Sequence, residues 1–140
     1  MHDWLRIALF TPHHEKPPQE LKTLIGLGIG LTPSGDDFLC GVMITLHALG
    51  FPDLVKELEK DLLLGAERRT NTVSLAYLRC AAKGFGGVTI HETINCLIQG
   101  GQGLLLKRLN NIGHTSEWDA FAGILTVANS CLDCVSKIGK

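Results

Sequence analysis

Residues 26–49 of this 140-residue chain read GLGIGLTPSGDDFLCGVMITLHAL. The first part is a glycine-rich loop, and Asp36–Leu49 then carries apolar side chains on nearly every face of a helix. A helix that is apolar all round is typical of a buried position. The sequence therefore predicts a domain packed around this helix, with a polar loop at its N-terminal end.

The rest of the chain also shows the apolar spacing of helices rather than strands. Strict alternation of apolar and polar residues is scarce, so we expect an all-α fold of about seven helices around the buried central one. Thr70-Asn71-Thr72 has the residue types of a helix N-cap, whereas Leu5–Phe10 could be a short strand or a stub. We interpret residues 1–18 as an N-terminal stub, a candidate remnant of a longer region, and residues 19–140 as a single helical domain. The other helical segments are Gln19–Ile25, the stretch after Gly50, Thr89–Gln99, Leu104–Leu109 and Ser116–Val135.

The composition excludes several classes of protein. With 45% hydrophobic and 19% charged residues the chain is not disordered, and a net charge of -1 argues against nucleic-acid binding. The longest uncharged stretches, residues 24–35 and 38–52, fall short of the ~20 residues that a membrane-spanning helix needs. The N-terminus lacks the features of a signal peptide. Five irregularly spaced cysteines argue against a disulfide framework, so we expect reduced thiols and a cytoplasmic location.

One pattern occurs twice in the chain. Ser34–Gly41 and Ser116–Gly123 both have the form S-x-x-D-x-x-x-G, and each begins a long apolar helix. One interpretation is structural: S-x-x-D resembles a capping box, and Gly41 and Gly123 would allow the two helices to cross closely. Capping does not explain the three alternating glycines or the second carboxylate of the first copy. If the helices cross at these glycines, their N-termini would converge, and one cleft would collect Ser34, Asp37, His114, Ser116 and Asp119.

The alternative interpretation of the first copy is a ligand site. A glycine-rich loop lets backbone N–H groups approach a ligand, and a helix N-terminus offers free N–H donors and a partial positive charge. Together these features favour an anion. Because two adjacent carboxylates would repel a bare anion, we expect either a bridging Mg²⁺ on Asp36 and Asp37 or contacts from these carboxylates to N–H groups of the ligand. The loop groups assigned to ligand binding are Gly28, Gly30, Thr32, Ser34 and Gly35.

A third polar helix start follows at Arg68–Ser74. Arg69 could clamp a carboxylate or phosphate, and Thr70, Asn71 and Ser74 would add polar contacts. The alternative for the two arginines, which their position favours, is a solvated helix end. We assign acid–base or electrostatic roles to Asp37, His114 and Asp119, and a ligand contact to Ser116.

Three motifs together resemble a known bacterial family. GLGIGLTPSGDDFLCG (residues 26–41), RTNTVSLAYLRCAAKG (69–84) and IGHTSEWDAFAGIL (112–125) are similar to the family that includes the AllH-like small helical subunit of oxamate carbamoyltransferase. That enzyme acts late in anaerobic allantoin breakdown and converts oxalurate and phosphate to oxamate and carbamoyl phosphate. The resemblance implies functional roles for the polar positions Thr32, Ser34, Asp36, Asp37, Thr70, Asn71, Ser74, His114, Ser116 and Asp119. The chain departs from the family in being shorter at its N-terminus and in reading His-Thr-Ser-Glu-Trp-Asp where Ser-Ser-Gly is expected before the Trp-Asp pair.

Two hypotheses follow from the sequence. In the first, the chain is a subunit or domain of a carbamoyltransferase-like enzyme that binds phosphate, carbamoyl phosphate or a small carboxylated amide at helix N-termini, together with companion subunits or further copies of itself. Catalysis would then rest on positioning and on electrostatic stabilisation of negative charge. In the second, the chain is a non-catalytic helical module that senses a ligand or binds another protein.

Overall fold

The protein is built from helices. The computed structural model describes residues 1–11, 16–101 and 115–138, and these ranges contain no β-strand. The predicted all-α class is confirmed; the predicted segment Leu104–Leu109 lies outside the described residues. None of the described helices is long and apolar enough to cross a membrane. The α-helices are α1 (His2–Phe10), α2 (Ser34–Ala48), α3 (Pro52–Leu63), α4 (Thr72–Ala82), α5 (Val88–Ile98) and α6 (Thr115–Ile138), with 3₁₀ helices at Gln19–Leu24 and Ala66–Arg68.

Helix α2 contributes heavily to the core. Ten of its fifteen residues are buried, among them Met43 and Leu46, which are completely enclosed. It packs most extensively against α6, and it also contacts α3, α4 and α5. Burial of this kind follows from the apolar composition of the helix, because each apolar face needs a partner that removes it from water.

Helices α2 and α6 cross at glycine. A Cβ atom at Gly41 would overlap the carbonyl oxygen of Ala120, and a Cβ at Gly123 would overlap the carbonyl oxygen of Phe38. The backbones of the two helices are therefore in direct contact, at the glycine that ends each copy of the repeated pattern. The predicted close crossing at Gly41 and Gly123 is confirmed.

The first helix differs from its sequence interpretation. Leu5–Phe10 is part of α1, so the strand hypothesis for this segment was wrong. The buried residues Trp4, Leu5, Ala8 and Leu9 follow helical spacing, and α1 packs against α6. The segment is a helix because this face fits the core, a tertiary effect that outweighs the weak local signal of so short a stretch.

Replacing Gly41 with alanine tests the crossing. Helix propensity alone predicts that Gly41→Ala raises the free energy of unfolding by about 1 kcal/mol. Since the new methyl group would overlap a backbone oxygen, we expect instead a loss of about 2 kcal/mol or more, measured by urea denaturation. Gly87→Ala is the control, because Gly87 has an ordinary φ of -63° and open space around the position of a Cβ. Equal stability of Gly41→Ala and the wild type would contradict the packing described here.

Candidate functional site

A cleft opens where the N-terminal turns of α2, α5 and α6 meet the side of α4. Its volume is about 230 Å³, and it is open to solvent at one side. Three residues assigned to a site from the sequence line it: Thr32, Asp37 and Ser116. The remaining lining residues are Cys40, Ile44, Tyr77, Ala81, Phe85, Gly86, Gly87, Thr89, Ile90, Glu117 and Ala120.

The cleft brings together three helix N-termini. The first turns of α2 and α6 both reach it, as the repeated pattern predicted, and α5 begins at Val88 directly after the lining glycines Gly86 and Gly87. The first N–H groups of a helix have no partner within the helix and carry a partial positive charge. In α2 the N–H groups of Gly35, Asp36 and Asp37 already donate to backbone carbonyls. The helix starts that can offer free donors to the cleft are therefore those of α5 and α6. Sequence reasoning missed the contribution of α5, although the Gly-Phe-Gly-Gly stretch that precedes it was a usable signal.

Asp37 is the acidic centre of the cleft. Burial raises the pKa of its carboxyl group to about 6; a hydrogen bond from Thr32 opposes this rise, and the charges of Asp119 and Asp36 add to it. The Oδ2 atom is buried and has no hydrogen-bond partner among the described residues. Asp37 can therefore gain or lose a proton near neutral pH, and one of its oxygens is free to accept a hydrogen bond.

Cys40 lies one turn after Asp36 and also lines the cleft. Burial raises the pKa of its thiol well above the ordinary range, and the neighbouring Asp37 and Asp36 charges act in the same direction. The group is therefore a neutral thiol, and the thiolate is the form that acts as a nucleophile. Cys40 is a free thiol, as the sequence analysis expects.

Asp36 points away from the cleft and into the protein. Its side chain is completely buried, and its carboxylate accepts hydrogen bonds from the N–H of Gly26 at 2.8 Å and from the hydroxyl of Ser74 at 2.7 Å. The hydroxyl of Thr70 donates to the same carboxylate. One side chain thus joins the glycine-rich loop, the first turn of α2 and the first turn of α4.

The polar residues before α4 hold the loop in place. Asn71 is the N-cap of α4, as predicted: its Oδ1 accepts from the N–H of Ser74 at 2.9 Å, while its Nδ2 donates to the carbonyl of Leu31 at 3.0 Å. The guanidinium of Arg69 donates to the carbonyl of Lys22 at 2.6 Å. None of these side chains is among the residues that line the cleft, so their assignment to ligand binding gains no support from their positions.

Two glycines at the start of the loop and of α2, Gly26 and Gly35, serve close packing. Gly26 has a φ of +74°, and a Cβ there would overlap the carbonyl oxygen of Arg69. Gly35 packs against the carbonyl of Leu24 in the same way, and its N–H donates to the carbonyl of Leu27 at 2.9 Å. This backbone bond takes the place of a side-chain cap, because Pro33 occupies the N-cap position of α2 without a capping side chain. The capping-box interpretation of Ser34 and Asp37 was therefore wrong.

The structure places the other predicted site residues in different positions relative to the cleft. Gly28, Gly30, Ser34 and Gly35 do not line the cleft, whereas Asp119 is close enough to Asp37 to raise its pKa. His114 lies outside the described residues. No group of three or more His, Cys, Asp or Glu side chains in the described part of the chain is arranged to hold a metal ion. The Mg²⁺ hypothesis for Asp36 and Asp37 stays a prediction, and the hydrogen bonds of Asp36 give this residue a structural use instead.

The buried network around Asp36 can be tested by its removal. Asp36→Ala leaves the Gly26 N–H and two hydroxyl groups without an acceptor, and each unsatisfied buried group costs ~1–3 kcal/mol. We expect the free energy of unfolding to fall by about 3 kcal/mol in urea denaturation. Asp53→Ala, at an exposed carboxylate early in α3, should cost less than about 1 kcal/mol. Similar losses in the two variants would show that the network is unimportant.

The raised pKa of Asp37 predicts a pH dependence of stability. Between its ordinary value of 3.8 and about 6 the folded protein keeps a proton that the unfolded chain has lost, so stability should fall as the pH rises through this window. Asp37→Asn abolishes this titration, and above pH 6 it should stabilise the fold by roughly 1 kcal/mol once solvent screening is allowed for. Thermal denaturation between pH 4 and 8 measures the difference, with Asp53→Asn as the charge-matched control. Parallel pH curves for the wild type and Asp37→Asn would contradict this assignment.

Comparison with known proteins identifies the family. No solved structure matches the chain. The family model of the oxamate carbamoyltransferase subunit AllH matches residues 24–128, which is well over half of the chain and includes the glycine-rich loop, all of α2 to α5 and the first part of α6. The chain therefore belongs to the AllH family of oxamate carbamoyltransferase subunits.

Proposed function

We propose that the cleft binds a small carboxylated amide of the oxamate and oxalurate type, and that the chain does so as a subunit of an oxamate carbamoyltransferase. The observation that carries the proposal is the position of Asp37, an acidic group in a cleft that also receives the first turns of α5 and α6. The family supports the enzyme, and the chemistry of the cleft supports the choice of ligand.

The two ends of such a ligand match the two kinds of group in the cleft. Carboxylate and carbonyl oxygens would accept hydrogen bonds from the free N–H groups at the starts of α5 and α6. The amide or ureido N–H groups would donate to the free oxygen of Asp37 and to Glu117. Thr32 already donates to Asp37, which fixes the direction of the carboxyl group.

Phosphate and carbamoyl phosphate fit this part of the cleft less well. Among the described residues that line it there is no lysine, arginine or histidine, and both charged groups, Asp37 and Glu117, are acidic. Like charges at short range are unfavourable. Inorganic phosphate has only charged oxygens to place beside these acids, whereas oxamate and oxalurate can turn an uncharged N–H end toward them and keep their single carboxylate at the helix starts. We therefore assign to Asp37 and Glu117 the binding of the amide end of the ligand.

Within the reaction, Asp37 is the candidate for proton transfer. A group whose pKa is near the working pH is best suited to general acid–base catalysis, and the pKa of Asp37 is about 6. The charge of Asp119 helps to keep it there. The helix N-termini would stabilise negative charge that develops on the ligand oxygens, which is the usual role of fixed backbone donors.

Calorimetric titration of the purified chain tests the assignment. We expect oxamate and oxalurate to bind more tightly than inorganic phosphate. Asp37→Asn should weaken oxamate binding at least 10-fold, because the amide oxygen is kept by the Thr32 hydroxyl and the ligand N–H then meets an NH2 donor. Oxamate binding should also weaken below pH 6 as Asp37 becomes protonated. Asp53→Asn should bind like the wild type. Preferential binding of phosphate, unchanged in Asp37→Asn, would count against the proposal.

A further inference from the structure

We propose that the mouth of this cleft is the surface on which a companion subunit of the same enzyme docks, and that the companion inserts basic side chains into the acidic cleft. The inference rests on the proposed function, since it concerns the same site. It adds the location of the contact and the chemistry of the partner.

The first observation is a set of exposed apolar residues that line the cleft or adjoin its lining residues in sequence, here called the rim. Phe85 and Tyr77 line the cleft while exposing 66% and 57% of their surface, and Val88, next to the lining residues Gly87 and Thr89, exposes 73%. Leu31 and Trp118, which adjoin the lining residues Thr32 and Glu117 in sequence, are exposed as well. Exposed apolar residues that are scattered singly are ordinary, but a group of them around one opening is typical of an interaction site. Aromatic residues such as these are enriched in the cores of interfaces.

The second observation is the charge inside the rim. Asp37 and Glu117 line the cleft, and Asp119 is near enough to act on Asp37. The described lining contains no cationic side chain, although a carbamoyltransferase that handles carboxylates and phosphate must balance negative charge in its transition state. Positive groups from a docking partner would supply this balance and would also form ion pairs with the carboxylates.

Charge complementarity also favours a different subunit over a second copy of this chain as the partner at the cleft mouth. A symmetric dimer through this face would place the same patch of each copy against the other. Asp37, Glu117 and Asp119 of both copies would then face each other with like charge, which costs interaction energy and suppresses self-association. A different subunit with a basic, apolar-ringed surface has the complementary pattern. The family is named as a subunit of oxamate carbamoyltransferase, which implies companion subunits.

Rim substitutions in the co-expressed complex test this inference. Val88→Glu and Phe85→Glu place a charge in the apolar rim, and glutamate is tolerated at position 88 because a negative charge suits the first turn of a helix. We expect each variant to weaken association with the companion subunits at least 10-fold, measured by biolayer interferometry with the purified companions. Leu64→Glu is the matched control: Leu64 is 82% exposed at the end of α3, away from the cleft lining, and its variant should bind within 2-fold of the wild type.

Further measurements distinguish failure of the proposed interface from failure of the proposed ligand. Circular dichroism must show the wild-type fold for each variant, and Glu117→Lys should also weaken association, to a degree that diminishes as salt is added. Oxamate binding by the isolated wild-type chain is measured separately, so that the ligand and the interface are tested independently. Loss of assembly without any oxamate binding would sink the proposed ligand and keep the interface. Normal assembly of both rim variants would overturn the interface, as would an isolated chain that is a dimer and becomes monomeric on Phe85→Glu.

Discussion

The direct backbone contact between α2 and α6 is the constraint on which the site depends. Because Gly41 and Gly123 carry no Cβ, the helices approach until each glycine meets a carbonyl oxygen of the other helix. Asp37 and Asp119 each stand four residues before their glycine, so each lies one turn from the crossing point and on the same face of its helix. Close crossing therefore places the two carboxylates near each other, and it also brings the first turns of both helices to one cleft.

Asp36 and Asp37 show how adjacent residues with the same chemistry acquire different roles. Successive residues of a helix point about 100° apart, so one carboxylate faces the glycine-rich loop and α4 while the other faces the cleft. Asp36 meets three donors and is enclosed. Asp37 meets one hydroxyl group and another carboxylate, and its pKa rises because burial is only partly offset. The carboxylate of Asp36, which accepts from three donors, holds the loop in place. The carboxyl group of Asp37 keeps one oxygen that can accept a further hydrogen bond.

The sequence predicted the helical class, the N-cap at Asn71 and the helix crossing because each depends on local spacing or on a repeat. It could not predict that Thr70 and Ser74 donate hydrogen bonds to Asp36, because Thr70 lies 34 positions and Ser74 38 positions after Asp36 in the chain. By residue type alone, Asp36, Thr70 and Ser74 were all candidates for a ligand site. The contribution of Tyr77, Phe85 and Thr89 to the cleft was also missed, since it depends on how α4 and the loop before α5 pack beside the repeated helices. Local patterns thus selected Asp37, which lines the cleft, and only tertiary packing separated the cleft-lining residues from those that hold the loop in place.

Protonation of the cleft and assembly of the enzyme are physically linked. In the isolated chain Asp37 is held near a pKa of 6 by burial and by the charges of Asp119 and Asp36. A cationic side chain brought by a partner would favour the ionised form and lower that pKa. By linkage, ionisation of Asp37 would in turn strengthen binding of the partner by the same free energy. Such a linkage would act most strongly below pH 6, where Asp37 of the isolated subunit is still largely protonated and a partner's cation would favour the ionised form that accepts ligand N–H groups.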